Sequence, residues 1–187
     1  MISRRFFIAG LAATTASAAT PALAHHTKAY QKRVENLKPR TVRFTGYAPG
    51  TIVVDPSNHF LYLVERPGRA RRYVVGVGRA GRSFRGTATI ARKAKWPSWT
   101  PTANMIRREP GKYARYRNGV PGGPGNPLGA RALYLYRNGR DTYYRIHGTT
   151  QPSSIGRSVS NGCIRMLNAH VKDLYNRTPV GTRVVVL

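Results

Sequence analysis

Short runs of β-branched and aromatic residues recur along most of the chain from residue 50 onward. Residues 51–54 and 60–64 are two such runs, and the turn-forming residues Asp55-Pro56-Ser57-Asn58 between them predict a β-hairpin. The same pattern, bounded by Gly, Pro or Asn, returns at 72–77, 87–90, 132–136, 143–147 and 182–187. Alternation within 133–136 and 143–147 predicts strands with one buried and one wetter face. These runs together predict a mostly β fold.

Two segments depart from the strand pattern. Residues 96–127 are rich in Pro, Gly and Asn and are too long for a simple connection, so we expect this insertion between strands to form a lid or a binding wall. Val171, Leu174 and Tyr175 recur at helical spacing after Asn168, a candidate N-cap, which predicts a short helix through Tyr175. With 187 residues and 41% hydrophobic content, the chain has room for one domain of this kind.

The charge of the chain is strongly positive. Lys and Arg number 32 against 6 Asp and Glu, a formal net charge of +26, which favours polyanionic partners such as nucleic acid, acidic lipid or acidic wall polymers. The Tyr and Arg residues that interleave in the predicted strands could form a base-stacking platform. Half-buried strands explain the same interleaving without a nucleic acid, and we therefore do not expect one as a partner.

The N-terminus has the pattern of an export signal. Arg4 and Arg5 precede an apolar stretch at 8–19 that is too short to span a bilayer, and Ala22-Leu23-Ala24 predicts cleavage before His25. The arrangement of the two arginines is typical of a twin-arginine signal, and a general secretory signal is the alternative. Either signal predicts a protein of the periplasm or cell envelope, with no transmembrane segment in the mature chain.

These observations divide the chain into three parts. Residues 1–24 are the predicted signal peptide, residues 25–46 a basic tether, and residues 47–187 a β-rich domain. A single cysteine in an exported chain cannot form an intramolecular disulfide, so Cys163 is free, partnered elsewhere or reactive.

Cys163 lies in a setting that suits a nucleophile. Arg165 and the predicted helix follow it closely, and such a setting is expected to favour the thiolate. Gly162 allows a tight turn in which consecutive backbone N–H groups can point toward an oxyanion. His147 ends a predicted strand and is the candidate general base, and the carbonyl of Gly148 is a plausible partner for its second ring nitrogen.

Each of these residues is weak evidence by itself, since a lone cysteine is more often inert and buried than catalytic. Their order along the chain is more specific. The residues that carry it are His147-Gly148-Thr149, Ile155-Gly156 and Ser160-Asn161-Gly162-Cys163-Ile164-Arg165-Met166. This run resembles the active-site signature of the L,D-transpeptidases, the YkuD-type catalytic domain, and the resemblance covers residues 47–187.

The resemblance implies a β-sandwich-like fold and acyl transfer on peptidoglycan stem tetrapeptides. Cys163 would attack the peptide carbonyl and release the terminal D-alanine, and an amine of another stem or of an envelope protein would accept the acyl group. In this family's terms His147 is the general base, the Gly148 carbonyl orients it, and the N–H groups of Gly162 and Cys163 form the oxyanion hole. The residues expected to bind or position substrate are Arg165, Ser160, Asn161 and Thr149. No cofactor and no metal are expected.

The sequence departs from the family pattern at one position. Many members have His directly before the Gly-Cys pair, whereas this chain has Asn161, whose amide cannot act as a base. Base function is therefore left to His147, and we expect His59 and His170 to be surface residues. A papain-like peptidase is disfavoured because its cysteine precedes its histidine.

Two alternatives remain open from the sequence. An L,D-carboxypeptidase would use the same acyl-enzyme and pass it to water. A noncatalytic protein would use the basic surface to bind anionic envelope polymers.

Overall fold

The computed structural model describes residues 35–79 and 84–187 and groups Leu37–Leu187 into one compact unit. The predicted signal peptide and residues 25–34 of the predicted tether lie outside the described residues. Within the described part of the chain, no helix is both long and apolar enough to cross a bilayer.

The described residues form eleven strands and a few short helices. The strands are β1 (Arg40–Arg43), β2 (Ile52–Asp55), β3 (Phe60–Arg66), β4 (Arg69–Val74), β5 (Val77–Gly78), β6 (Gly86–Lys95), β7 (Arg131–Arg137), β8 (Arg140–His147), β9 (Ser158–Ser160), β10 (Ile164–Arg165) and β11 (Arg183–Val186). The α-helices are α1 (Ala103–Arg108), α2 (Pro110–Tyr113) and α3 (Asn168–Arg177). The prediction of a mostly β fold is confirmed.

Nine strands form one mixed sheet in the order β1-β4-β3-β2-β11-β6-β7-β8-β10, and β5 pairs with β9 in a second, two-stranded sheet. The antiparallel pair β2–β3 confirms the hairpin predicted around residues 55–58. The run predicted at 72–77 is divided between β4 and β5. Three short strands, β1, β9 and β10, were not predicted, because they are polar or too short to show a pattern.

The start of the domain also differs from the expected boundary at residue 46. The strand β1 lies within the predicted tether and pairs with β4 along its whole length. Phe44, just after β1, stacks on Tyr62 of β3 with ring centroids 4.2 Å apart. The sheet therefore begins at Arg40, in a segment whose basic composition concealed the strand.

A single hydrophobic core joins both ends of the large sheet. Tyr73 of β4 and Ile164 of β10 belong to the same buried cluster, together with Val171 and Leu174 of α3. Gly76, after β4, exchanges backbone hydrogen bonds of 2.8 and 2.7 Å with Arg165 of β10. The sheet must therefore curl until its two ends meet, which brings β10, the strand paired with β8, against the segment that follows β4.

The helix after the cysteine is present, with two corrections. Asn168 is its first residue rather than its cap, since Leu167 occupies the N-cap position. The Asn168 side chain instead accepts a hydrogen bond from the Ala130 N–H at 3.0 Å. His170 is buried, with 9% of its surface exposed, so the expectation of a surface histidine is wrong there. The cause is the direction of the helix face, which turns His170 toward Tyr73.

Candidate active site

The pairing of β8 with β10 places the candidate catalytic residues on one face of the sheet. The strands are parallel, with Ile164 opposite Ile146 and Arg165 opposite His147. Ile146 and Ile164 point into the core. Since side chains alternate along a strand, His147 and Arg165 lie on the opposite face. Cys163 directly precedes β10, and the same alternation continued by one residue places its side chain on that face, near Arg145 and Arg165.

The same register gives the separation of Cys163 and His147. Continued by one residue, it aligns Cys163 with Arg145, two residues before His147. Two residues along a strand and one strand spacing place the two Cα atoms about 8 Å apart. In the part of the chain that the structure describes, the sulfur is not hydrogen-bonded to the imidazole; the thiol donates to the Tyr143 carbonyl oxygen at 4.0 Å, and the Arg145 backbone N–H also faces the sulfur.

The imidazole of His147 is buried and oriented by the backbone. Only 4% of the residue is exposed, and Nδ1 lies 2.5 Å from the Gly148 carbonyl oxygen, the contact expected from the sequence. Because a carbonyl can only accept, Nδ1 carries the proton and Nε2 keeps its lone pair. Burial lowers the pKa of His147 to about 4, and the charge of Arg165 adds to this effect. His147 is therefore neutral at neutral pH and able to accept a proton.

The thiol of Cys163 is not a preformed thiolate. Although the residue is half-buried, desolvation around the sulfur raises its pKa above the ordinary value, and the Asp141 carboxylate acts in the same direction. The Arg145 backbone N–H and the charges of Arg145 and Arg165 lower the pKa, but they do not outweigh burial. The expectation of a thiolate is therefore wrong for this conformation, in which a neutral thiol and a neutral imidazole share one face.

Ser160 holds the loop that carries the thiol. Its buried hydroxyl donates to the Cys163 carbonyl oxygen at 2.6 Å and accepts the Gly162 N–H at 3.1 Å. Ser160 thus braces the loop, and the Gly162 N–H expected in the oxyanion hole is already engaged. The expected role of Ser160 in substrate binding stays a prediction. Gly162 has a φ of 128°, a conformation that side-chain-bearing residues rarely adopt.

Asn161 joins the loop to the long insertion. Its amide Nδ2 donates to the hydroxyl of Tyr113 at 2.8 Å. Tyr113 ends α2, is 8% exposed, and packs edge-on against Trp99 of the same insertion. The insertion thus contacts the loop that carries the thiol, and its role as a lid or binding wall stays a prediction. The sequence contained no signal for Tyr113 itself, because a tyrosine in a Gly- and Pro-rich segment has no pattern that assigns it a partner.

The remaining predicted site residues, Thr149 and Arg165, both form hydrogen bonds with Gln151. Thr149 is buried, and its hydroxyl accepts the Gln151 N–H at 3.0 Å in a turn; its expected role in substrate binding stays a prediction. Arg165 is half-buried and donates to the Gln151 side chain at 3.3 Å. Arg145 was not predicted, yet it borders the thiol and is held by Asp141 through bonds of 2.7 and 2.8 Å. No group of His, Cys, Asp and Glu residues suited to a metal occurs among the described residues.

The sequence of this domain matches a known family over most of its length. Residues 49–186 match the family model YkuD, the L,D-transpeptidase catalytic domain. The chain belongs to this family. The resemblance found in the His147 to Met166 region is thereby confirmed, and the enzyme class of the family is that of an L,D-transpeptidase.

Individual relatives of this L,D-transpeptidase family member agree with the assignment. The chain is 40% identical over 117 residues to the probable L,D-transpeptidase ErfK/SrfK of Escherichia coli K12, a match covering 62% of this chain and 36% of that protein. It is 45% identical over 105 residues to a putative L,D-transpeptidase of Fuscovulum blasticum, covering 55% and 50% of the two chains. The matches thus span about a third to a half of these relatives.

Solved structures show the same fold. A Brucella melitensis protein is 59% identical, with a TM-score of 0.56 over 80% of this chain and 93% of that one. It is named a probable carnitine operon oxidoreductase, a class that differs from the family description. An L,D-transpeptidase of Mycobacterium smegmatis is 20% identical, with a TM-score of 0.51 over 73% and 58% of the two chains, and shares the fold.

Proposed function

We propose that this L,D-transpeptidase family member transfers acyl groups of peptidoglycan stem tetrapeptides through a thioester on Cys163. The observation that supports this most directly is the β8–β10 register, with Cys163 and His147 on the face opposite the core. A neutral imidazole with Nδ1 held by Gly148 is suited to take a proton at Nε2.

Acylation starts from the neutral pair. The Cys163 side chain turns from the Tyr143 carbonyl toward His147, and Nε2 takes the thiol proton as sulfur bonds to the stem-peptide carbonyl carbon. Such contacts often tighten only when substrate is bound. The carbonyl electrons move to oxygen, where the Cys163 N–H, and the Gly162 N–H once Ser160 releases it, donate to the oxyanion. Collapse of this intermediate breaks the bond to the terminal D-alanine, whose amine leaves with the proton from His147.

Deacylation decides the product. An amine attacks the thioester, His147 takes its proton, and the sulfur leaves to regain a proton as thiol. An amine of another stem yields a 3-3 crosslink, and an amine of an envelope protein yields an anchored protein. Water in place of the amine yields the carboxypeptidase reaction. The predicted export signal would place this chemistry in the periplasm or cell envelope.

Intact-mass spectrometry with a carbapenem-type β-lactam tests the nucleophile. The wild-type chain should gain one covalent β-lactam mass, and both Cys163→Ala and Cys163→Ser should gain none while keeping the wild-type circular dichroism spectrum. An adduct of unchanged yield on Cys163→Ala would refute a cysteine nucleophile.

Purified tetrapeptide stems then separate transfer from hydrolysis. Mass spectrometry of reactions with and without an amine acceptor should show D-alanine release together with a crosslinked product that needs the amine. A tripeptide product of equal yield in both reactions would assign hydrolysis instead. Tetrapeptide left unchanged in both reactions would contradict catalysis and favour a binding protein.

A further inference from the structure

Three arginines form a row across one end of the large sheet, away from the residues of the proposed reaction. Arg66 of β3 is paired with Arg69 of β4, and Arg69 is paired with Arg43 of β1. Arg69 and Arg43 are paired in an unbroken register and project from the same face, whereas the pairing of Arg66 with Arg69 follows a register shift after Val64. Adjacent strands are about 4.8 Å apart, so the three backbone positions span about 10 Å. All three side chains are exposed.

Such a row opposes folding unless an anion compensates it, because like charges directly opposite each other on paired strands are destabilising. The unit Leu37–Leu187 has five acidic residues, and each contacts a residue outside the row. Their contacts are Asp55 with Asn58, Glu65 with Arg177, Glu109 with Lys112, Asp141 with Arg145, and Asp173 with Arg71 and Arg177. None of the ion pairs between described residues includes Arg43, Arg66 or Arg69.

A groove of about 490 Å³ lies along the row and is lined by Thr41, Val42, Arg43, Gly68 and Arg69. Two residues of the row, Arg43 and Arg69, supply its charged lining, and Arg66 lies outside the lining. Planar guanidinium groups bind phosphate oxygens in pairs. The groove is therefore an open site in which two adjacent arginines can bind oxyanions, and the third arginine of the row follows on β3.

The surroundings of the groove favour a linear polymer over a membrane or a protein. Insertion into lipid and hot spots between proteins both rely on exposed large apolar side chains. Among the described residues, the exposed large hydrophobic side chains are Trp96, Tyr143, Val159, Val180 and Leu187, none of which lines the groove.

We propose that the row Arg43-Arg69-Arg66 is a docking site for a linear phosphate-bearing polymer. The polymer lies along the groove, and consecutive phosphates pair with consecutive guanidinium groups. This site is independent of Cys163 and retains the protein on a polyanion while the catalytic site acts. Part of the high positive charge of the chain thereby has a defined binding role.

The test measures binding of long-chain inorganic polyphosphate to the full chain at several NaCl concentrations. The variant Arg43→Gln/Arg66→Gln/Arg69→Gln should bind at least tenfold more weakly, and its salt slope should be smaller by about 2, the value for the loss of three phosphate contacts on a flexible chain. Urea unfolding without polymer should show the variant to be as stable as the wild type or more stable, because like-charge repulsion is removed. If the triple variant does not fold, Arg69→Gln alone should weaken binding and reduce the slope in the same direction.

The matched control is Arg108→Gln/Arg140→Gln/Arg183→Gln, which removes the same charge from exposed arginines scattered over the domain. Retention of wild-type affinity by this control, with loss in the row variant, supports the site. An equal loss in both variants would assign binding to net charge and overturn the proposal. Binding of the wild type to anionic phosphatidylglycerol vesicles but not to polyphosphate would overturn it in favour of a membrane.

Discussion

The burial of His147 predicts a defined loss of stability in acid. In the folded protein, burial and the charge of Arg165 lower the pKa of His147 to about 4. In the unfolded chain a histidine titrates near 6.5. Between these values the unfolded chain binds a proton that the folded protein does not, so the free energy of unfolding falls as the pH drops from about 6.5 toward about 4. A shift of about 2.5 units corresponds to roughly 3 kcal/mol, all of which is lost once the pH is below the folded pKa.

Urea unfolding of the wild type and His147→Gln at pH values from 7.5 to 4 measures this effect. Glutamine does not titrate, so the variant should lose less stability over the same range, and the difference between the two pH profiles should approach roughly 3 kcal/mol. His170 is also buried with a lowered pKa, and it contributes equally to both proteins. Comparing the pH profiles, rather than stabilities at one pH, removes the packing cost of the substitution.

Parallel profiles for the two proteins would refute the reasoning, since they would mean that His147 titrates alike in the folded and unfolded states. A direct NMR titration of the imidazole would then show a pKa near 6.5. In that case the proposed neutral pair of thiol and imidazole would also have to be abandoned, because His147 would be partly charged near neutral pH.

Two further substitutions test contacts around the site. Tyr113→Phe removes the hydroxyl that accepts a hydrogen bond from the Asn161 side chain. The kcat for acyl transfer should fall about fivefold, equivalent to about 1 kcal/mol, with KM and Tm little changed. Steady-state kinetics measures this, and the control is Tyr116→Phe, which changes the other tyrosine packed on Trp99. Asn168→Ala leaves the backbone N–H of Ala130, just before β7, without its acceptor and should lower the free energy of unfolding by about 1–3 kcal/mol. Urea unfolding against the exposed Asn176→Ala measures it, and equal losses in the two variants would contradict the contact.

Some elements of the fold could be predicted from the sequence pattern, and others could not. Local patterns were sufficient for the β2–β3 hairpin and for the strands around residues 132–136 and 143–147, because alternation is a property of neighbouring residues. They were insufficient for β1 and β10, which are too short or too polar to show alternation. Helical spacing predicted α3, but whether Asn168 caps that helix or binds elsewhere depended on the position of Ala130, which is remote in sequence.

The candidate site also has features that the sequence predicted and features that it did not. The types and order of His147, Gly148, Gly162 and Cys163 were sufficient to recognise the family, since a motif is read along the chain. The sequence was not sufficient to predict the protonation states of Cys163 and His147, because the pKa of a thiol or an imidazole depends on how much protein surrounds it. The sequence suggested a thiolate beside Arg165, whereas packing leaves a neutral thiol.

By itself, the sequence determined the strand-rich class of the fold, the family and the identity of the candidate catalytic side chains. The tertiary structure alone decided that β10 pairs with β8, that the sheet curls until β10 meets the segment after β4, that Tyr113 reaches Asn161, and that three arginines align across β3, β4 and β1. The physical reason is that alternation and motifs act between neighbours along the chain. Burial, strand register and charge proximity arise only when distant segments pack together.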